Sequence, residues 1–264
     1  MEPIKVVVHG AQGKVGQEVV KAVCREPGMR LVGAVDMAVS AGVLSLPDGS
    51  GTVPFSSRLE DILSQCPADV MVDFTVARAT LPAARTAMSH RVNLVIGTTG
   101  LSKDEIGGLA DLAAAQSVGV FMAPNFALGA VLMMHLAAVA AKYLDYAEII
   151  ELHHNQKADA PSGTALTTAR NMAAARGKPF LTTQESPETI ESRGKKIDGI
   201  PIHSVRLPGL LAHQEVLLGA SGQTLSIRHD TISRECFMPG VLLAIKEVVK
   251  RKGLTYGLDK LLEL

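Results

Sequence analysis

Unbroken runs of apolar, β-branched residues alternate with amphipathic stretches through the first half of the chain. The runs are IKVVVH (4–9), LVGAV (31–35), VMVDF (70–74), NLVIG (93–97) and VGVFM (118–122). Strands that are apolar at every position belong to a parallel sheet covered on both faces. Between them, VGQEVVKAVCRE (15–26), LEDILSQ (59–65), ATLPAARTAMSH (79–90) and KDEIGGLADLAAAQ (103–116) carry helical spacing. Strand followed by helix, repeated, predicts a doubly wound α/β domain over residues 1–125.

The pattern changes after Asn125. A small-residue helix is expected over about 127–143, then a strand, AEIIELHH, that ends at two histidines. SGTALTTARNMAAARG (162–177) reads as a helix closed by Gly177. Residues 178–200, with Pro179, Pro187 and several Gly and Ser, read as a long surface connection. Three strand-like runs follow with little helix between them: IHSVRL (202–207), EVLLGA (215–220) and TLSIRH (224–229). They predict a mixed or antiparallel sheet, so residues 126–234 form a second, α+β domain. PGVLLAIKEVVKRKG (239–253) is expected as one helix capped by Gly253, with 235–264 returning to the first domain.

Composition narrows the function classes. Lys plus Arg and Asp plus Glu both number 26, a formal net charge of zero. That balance argues against nucleic acid and anionic membrane as partners, since both draw on surplus positive charge. The longest apolar run, Phe126 to Ala141, is broken by His135 and is short for a membrane span, so it reads as a buried helix. MEPIKVVVHG lacks the pattern of a signal peptide. Three cysteines, Cys24, Cys66 and Cys236, show no CxxC spacing, and free thiols in a cytoplasmic protein are the expectation. Neither they nor the scattered histidines, His9 and His135 among them, show ligand spacing, so no metal site is expected.

The first candidate chemistry sits between the first strand and the first helix. Gly10, Gly13 and Gly16 in VVVHGAQGKVGQEVV form GxxGxxG, a variant of the Rossmann dinucleotide fingerprint. Glycines let the turn close and let backbone N–H groups approach a pyrophosphate, while the helix N-terminus adds partial positive charge. Asp36 ends the second strand, where a carboxylate can accept from both ribose hydroxyls of NAD. Met37 follows it, where an arginine would partner a 2′-phosphate, so NADH is expected to bind well. Lys14 in the loop keeps NADPH open. GTTG (97–100) and APNF (123–126) close later strands, at the end where doubly wound sheets bind ligands, and Asn125 and Phe126 are candidates to hold a nicotinamide.

The second is ELHHNQKADAPSGTAL (151–166). His153 and His154 close a strand, and adjacent strand residues face opposite ways. Imidazole and ammonium groups suit proton delivery or neutralisation of a developing anion. Ser162-Gly163-Thr164 opens a helix whose free N–H groups can hold a carboxylate. Asp159 either orients Lys157 or braces the loop. Together these residues imply a small anionic substrate held beside a nicotinamide.

The run HHxxKxDAPSGTA resembles the signature of the 4-hydroxy-tetrahydrodipicolinate reductase (dihydrodipicolinate reductase) family. The glycine loop, DFT (73–75), GTTG, APNF and SRECFMPG (233–240) follow in that family's order over essentially the whole chain. The resemblance implies NAD(P)H-dependent reduction of a dicarboxylate in lysine and diaminopimelate biosynthesis, and a homotetramer built on the second domain's sheet. It implies His153 as acid/base and Lys157 as proton donor, with His154, Gly163 and Thr164 gripping substrate carboxylates. It implies a cofactor lined by Gly10, Ala11, Gln12, Gly13, Lys14, Val15, Asp36, Gly97, Thr98, Thr99, Ala123, Pro124, Asn125 and Phe126. Met37 and Val76 depart from members that carry a basic residue there. Two rivals compete: another small aspartate-pathway dehydrogenase, and a redox-sensing NAD(P)-binding module without catalysis. The sensor needs neither His153 nor Lys157.

Overall fold

The computed structural model describes residues 2–39, 42–183 and 190–264. It divides into two units, Met1–Leu128 with Arg234–Leu264, and Gly129–Ser233.

In the first unit the apolar runs form β1 (Ile4–His9), β2 (Met29–Val35), β5 (Val70–Asp73), β6 (Asn93–Ile96) and β7 (Gly119–Met122). Two strands that the sequence pattern did not announce lie between β2 and β5: β3 (Val43–Ser45) and β4 (Thr52–Ser56). The helices are α1 (Gly16–Arg25), α2 (Leu59–Leu63), α3 (Ala77–Ser89) and α4 (Lys103–Gln116). Ser102 opens α4 with a reciprocal capping box to Glu105. The sheet order is β13-β7-β6-β5-β1-β2-β4-β3, where β13 is Gly253–Tyr256, and every pairing is parallel except β3 with β4. From β4 to β7 this is the Rossmann order, which reverses between β1 and β5. The core on one side of the sheet joins Val7, Met71, Leu94, Ile96 and Val120 to Ala84, Ala87 and Met88 of α3 and Leu109 and Ala113 of α4.

The chain's last stretch is not one helix closed by Gly253. The final long helix, α7 (Met238–Val248), stops five residues sooner, and Gly253, with φ +74°, opens β13. The turn between them crosses close above β7. A Cβ on Gly119 would lie 2.2 Å from the Val248 carbonyl oxygen and 2.8 Å from that of Arg251. Gly119 is therefore the residue that lets β13 reach β7. A short helix, α8 (Asp259–Leu262), follows.

In the second unit, α5 (Leu128–Ala140), which begins at the unit boundary, leads to β8 (Tyr146–His153) and α6 (Gly163–Arg176). Gly177 closes α6 in the left-handed conformation, φ +68°, as its sequence indicates. Of the surface connection expected over 178–200, residues 184–189 lie outside the described residues. The remainder is more structured than expected, with a 3₁₀ turn at Ile190–Arg193 and β9 at Lys195–Ile197. Then come β10 (Ile200–Arg206), β11 (Ala212–Ala220) and β12 (Gln223–Thr231). The sheet order is β12-β11-β8-β10-β9, with β8 and β10 parallel and the other neighbours antiparallel, so the sheet is mixed.

Strand alternation sends Ala147 and Ile149 of β8, Ile200 and Ile202 of β10, and Val216 and Leu218 of β11 into one core with α5 and α6. The expected burial of the α5 helix holds on one face only. Ala130, Met133 and Ala137 are buried, whereas Leu132, Leu136 and Val139 are exposed.

Candidate active site

The dinucleotide loop is held by its own backbone. Gly10 and Ala11 both donate to the Val35 carbonyl, at 2.8 and 3.2 Å, and Gly13 donates to the Gly10 carbonyl at 3.0 Å. Gly10 has φ +85°, and a Cβ there would lie 2.7 Å from the Phe74 oxygen; one on Gly16 would lie 1.8 Å from the Gly10 oxygen. Only glycine permits this fold of the chain. Gly13 and Lys14 are exposed at the tip, and at the opening of α1 the Gln17 amide donates to the Gly13 carbonyl at 3.0 Å. Asp36 serves the loop as well as any ligand, because its carboxylate accepts from Gln12 N at 2.9 Å and from Ala38 N at 3.2 Å. Its neighbour Met37 is 86% exposed. A glycine cradle, an anchored carboxylate and an open loop tip fit an NAD(P) dinucleotide.

Behind the loop stands a residue to which the sequence reading gave no role. Asp73, at the end of β5, is fully buried. It accepts from His9 Nδ1 at 2.9 Å, from Thr75 N and Oγ1 at 3.0 and 2.9 Å, from Thr80 Oγ1 at 3.1 Å and from Thr98 Oγ1 at 2.6 Å. Burial pushes this carboxyl up, but the donors from His9, Thr98 and Thr75 outweigh it and hold it below the usual carboxylate range. The Thr98 hydroxyl also accepts from Thr75 N at 2.8 Å, so that side chain ties the GTTG loop to the end of β5. Thr99 is exposed, and Gly97 is crowded, since a Cβ on it would fall 2.0 Å from the Phe74 ring. Ala123 and Phe126 are buried and Pro124 is exposed. The Phe126 ring packs against Phe74 and Phe121, and Asn125 Oδ1 accepts from Ala127 N at 2.9 Å. Phe126 thus supports the APNF loop from within the core.

In the second unit the core face changes character along the strands. One cross-strand row, Ile202–Ile149–Val216, is apolar; the next is Ser204–Glu151–Gln214; the last is Arg206–His153–Ala212. Glu151 therefore sits at a core position with no side-chain exposure, and His153 follows it on the same face. The carboxylate is surrounded by donors: His153 Nδ1 at 2.5 Å, Arg206 Nη1 at 2.9 Å and Nη2 at 2.8 Å, and Ser162 N at 3.2 Å. Burial raises Glu151, but hydrogen bonds from His153, Arg206 and Ser204 with the charge of His153 bring it down from 4.5 to about 2. An ionised carboxylate only accepts, so the Nδ1 of His153 carries a proton and Nε2 lies on the opposite edge of the ring.

Lys157 lies in the loop after β8. Its Nζ contacts both oxygens of Asp159, at 2.7 and 2.9 Å, and its amide donates to the His154 carbonyl at 3.1 Å. Asp159 thus holds Lys157, and this bond is the main reason its carboxyl lies below the usual range. Arg206 Nη2 donates to the Asp159 carbonyl at 2.6 Å, which ties the same loop to the strand end. Ser162 caps α6 by accepting from Ala165 N, and Gly163 has open space where a Cβ would stand. The Gly163 and Thr164 amides are first-turn donors without intrahelical partners. Arg206 escaped the sequence reading, although an arginine in step with Ile200 and Ile202 on a core-facing strand was its signal. Among the described residues no group of three or more His, Cys, Asp or Glu is arranged to hold a metal, and no helix is long and apolar enough to cross a membrane.

A glycine-rich dinucleotide loop at the head of a Rossmann sheet is the frame of a nicotinamide-dependent oxidoreductase. The family profile "Dihydrodipicolinate reductase, N-terminus" matches residues 4–126, and its C-terminal counterpart matches 129–262. The chain belongs to the dihydrodipicolinate reductase family. A relative from Dehalococcoides mccartyi named 4-hydroxy-tetrahydrodipicolinate reductase is 60% identical over 264 residues, covering 100% of both chains. One of the same name from Moorella thermoacetica is 48% identical over 263 residues, covering 98% of both. The structure of dipicolinate-bound dihydrodipicolinate reductase from Paenisporosarcina sp. TG-14 is 41% identical, with a TM-score of 0.85 over 98% of this chain and 99% of that one.

Proposed function

We propose that the chain reduces 4-hydroxy-tetrahydrodipicolinate to tetrahydrodipicolinate, and that the strand end at residues 151–164 does the proton work. When bound, NAD(P)H supplies the hydride. The first unit would hold it through the glycine loop, Gly10 to Val15, with Asp36 at the ribose and the backbones of Gly97 to Thr99 and Ala123 to Phe126 along the remainder. In the second unit, His154 and the free amides of Gly163 and Thr164 would bind the carboxylates of a small dicarboxylate. The dipicolinate held by the Paenisporosarcina relative is a molecule of this kind. Reduction makes the substrate ring more electron-rich, so cationic donors beside it lower the barrier. Loss of the 4-hydroxyl as water would leave the unsaturated ring that takes the hydride; Lys157 then gives its proton to the ring carbon left as an enamine, and His153 acts as acid/base through Nε2.

The observation that carries this assignment is the convergence on one strand end of a charge-anchored histidine, the Lys157 loop and an open helix N-terminus. We further assign the active form as a cytoplasmic homotetramer joined through the second sheet. Ile150 and Leu152 of β8, Val205 of β10 and Leu217 of β11 alternate with the residues that face α5 and α6, so they lie on the other side of the sheet, where Glu148, His203, His213 and Glu215 stand opposite them across the strands. Light scattering of the purified protein at about four times 27.8 kDa supports this, and a monomeric mass refutes it.

The reaction is tested by following NADH and NADPH oxidation separately, with substrate generated in place by dihydrodipicolinate synthase from pyruvate and aspartate semialdehyde. Synthase-dependent oxidation is expected with at least one cofactor. Cofactor binding without oxidation would point instead to a redox-sensing module. Lys157→Ala should lower kcat by roughly a hundredfold or more, with NADH affinity unchanged; near-normal turnover would remove Lys157 as proton donor.

A further inference from the structure

We propose that Glu151 and Arg206 are positioning residues for this reaction: together they fix His153 with its proton on Nδ1, so that Nε2 is the nitrogen offered to the substrate. The proposal rests on His153 being the acid/base assigned above.

The geometry asks more of Glu151 than a structural ion pair would. Arg206 already meets both carboxylate oxygens, a bidentate arrangement that would satisfy a buried pair by itself. The Oε2 that accepts from Arg206 Nη1 nevertheless takes a second, shorter bond from His153 Nδ1, at 2.5 Å. Residues 151 and 153 share a strand face, so this bond holds the ring edge-on to the carboxylate. Arg206 is the residue paired with His153 across the parallel β8–β10 register, and its Nη2 reaches on to the Asp159 carbonyl. One guanidinium therefore spans both the acceptor of His153 and the loop that carries Lys157.

The groups around Glu151 come from every neighbouring element. Arg206 and Ser204 stand on β10, His153 on β8, and the Ser162 amide at the start of α6. Gln214 of β11 turns its amide to the Thr168 hydroxyl at 2.8 Å, and Lys157 and Asp159 pair with each other in the loop. The other carboxylate among these groups, Asp159, has both oxygens engaged by Lys157 and not by His153. Replacing Glu151 by glutamine removes the obligatory acceptor, because a carboxamide can donate to Nδ1 as readily as it accepts from it. With Arg206 drawing on the amide oxygen, the NH2 group would face His153 and drive the proton to Nε2.

The test uses the full chain with NADH bound, comparing wild type with Glu151→Gln. Histidine-selective ¹⁵N labelling reads the tautomer, and His153→Asn assigns the signal. Expected for wild type is an Nδ1-protonated ring; expected for the variant is the Nε2–H form. In the same variant kcat should fall about a hundredfold or more while KM stays within about threefold and NADH affinity is unchanged. A purely structural role would not move the tautomer or separate kcat from KM. An unchanged tautomer, or kcat within about threefold of wild type, overturns the proposal. If Glu151→Gln does not fold, Arg206→Lys keeps the charge but not the fork and should lower kcat about tenfold at constant KM; no loss of kcat overturns the proposal. If wild type itself oxidises neither cofactor in the coupled assay, the reaction assignment fails, and the tautomer comparison still decides whether Glu151 sets the ring.

Discussion

Each unit buries one carboxylate at the C-terminal end of a strand and gives it a histidine. Asp73 receives His9 at 2.9 Å, and Glu151 receives His153 at 2.5 Å. Burial does not tell the pairs apart, since the histidine side chains are 13% and 14% exposed and neither carboxylate is exposed at all. The difference lies beyond the carboxylate. Asp73 is otherwise ringed by threonines 75, 80 and 98, neutral donors drawn from different segments, and so it fastens the GTTG loop and the end of β5 behind the dinucleotide loop. Glu151 is backed by a guanidinium, a full counter-charge. The same acid–histidine pair acts as a clamp where its partners are hydroxyls and as a charged brace for a working imidazole where its partner is arginine.

The largest effect should come from stripping that counter-charge. Arg206→Leu leaves Glu151 buried without its guanidinium, held by His153 and the Ser162 amide, a loss of about 3–5 kcal/mol in the second unit. Hydrogen exchange under increasing urea reads each unit separately, and a loss below about 1 kcal/mol would erase the distinction between the pairs. Asp73→Asn keeps the shape and two acceptor lone pairs, so the first unit should lose only about 1–3 kcal/mol, with weaker NADH binding as the GTTG loop loosens. An Asp73 variant more damaging than the Arg206 variant would invert the comparison.

Acid separates the pairs less sharply, because both carboxyls are depressed on folding. A carboxyl held below its unfolded value adds stability that is present at higher pH and fades as protons bind to the folded state. For Glu151 this contribution should be complete above about pH 5 and disappear between 4.5 and about 2. Urea midpoints of the second unit should fall over that window in wild type and fall less in Arg206→Leu; parallel curves would contradict the coupling. The smallest change in stability, within about 0.5 kcal/mol, is expected for the exposed Met37→Arg. Its effect should lie in the ligand, raising NADPH over NADH specificity about tenfold. An unmoved ratio would mean that the Asp36 corner does not read the ribose.

What could be read from the sequence follows from where each residue's constraint originates. β1, β5, β6 and β7 are covered on both faces, so burial wrote itself into unbroken apolar runs. β3 and β4 are short, and Pro54 and the glycines 49 and 51 look like loop residues, because pairing rather than burial makes these segments strands. β9 carries Lys195 and Lys196, as suits a sheet edge, and so resembles a connection. The Ser162 cap and the Gly177 closure are local and were visible, whereas α7 was read too long because nothing in KRKG reveals the pairing of 253–256 with β7. At the candidate site the histidines, Lys157 and the helix opening stand within one short stretch. Arg206 lies fifty-five positions from Glu151 and meets it only through the β8–β10 register.

That late pairing of β13 bears on how the chain folds as it is made. Residues 119–122 are synthesised early, and their partners 253–256 arrive only after the whole second unit has emerged. Until then β7 is the unpaired margin of an otherwise completed parallel sheet, a template for any strand that approaches it. The second unit has consecutive elements of its own and can fold in that interval, but the nucleotide unit must wait for its last strand. Its final step is therefore a long-range closure, and truncations before residue 253 should leave a protein prone to edge-to-edge association.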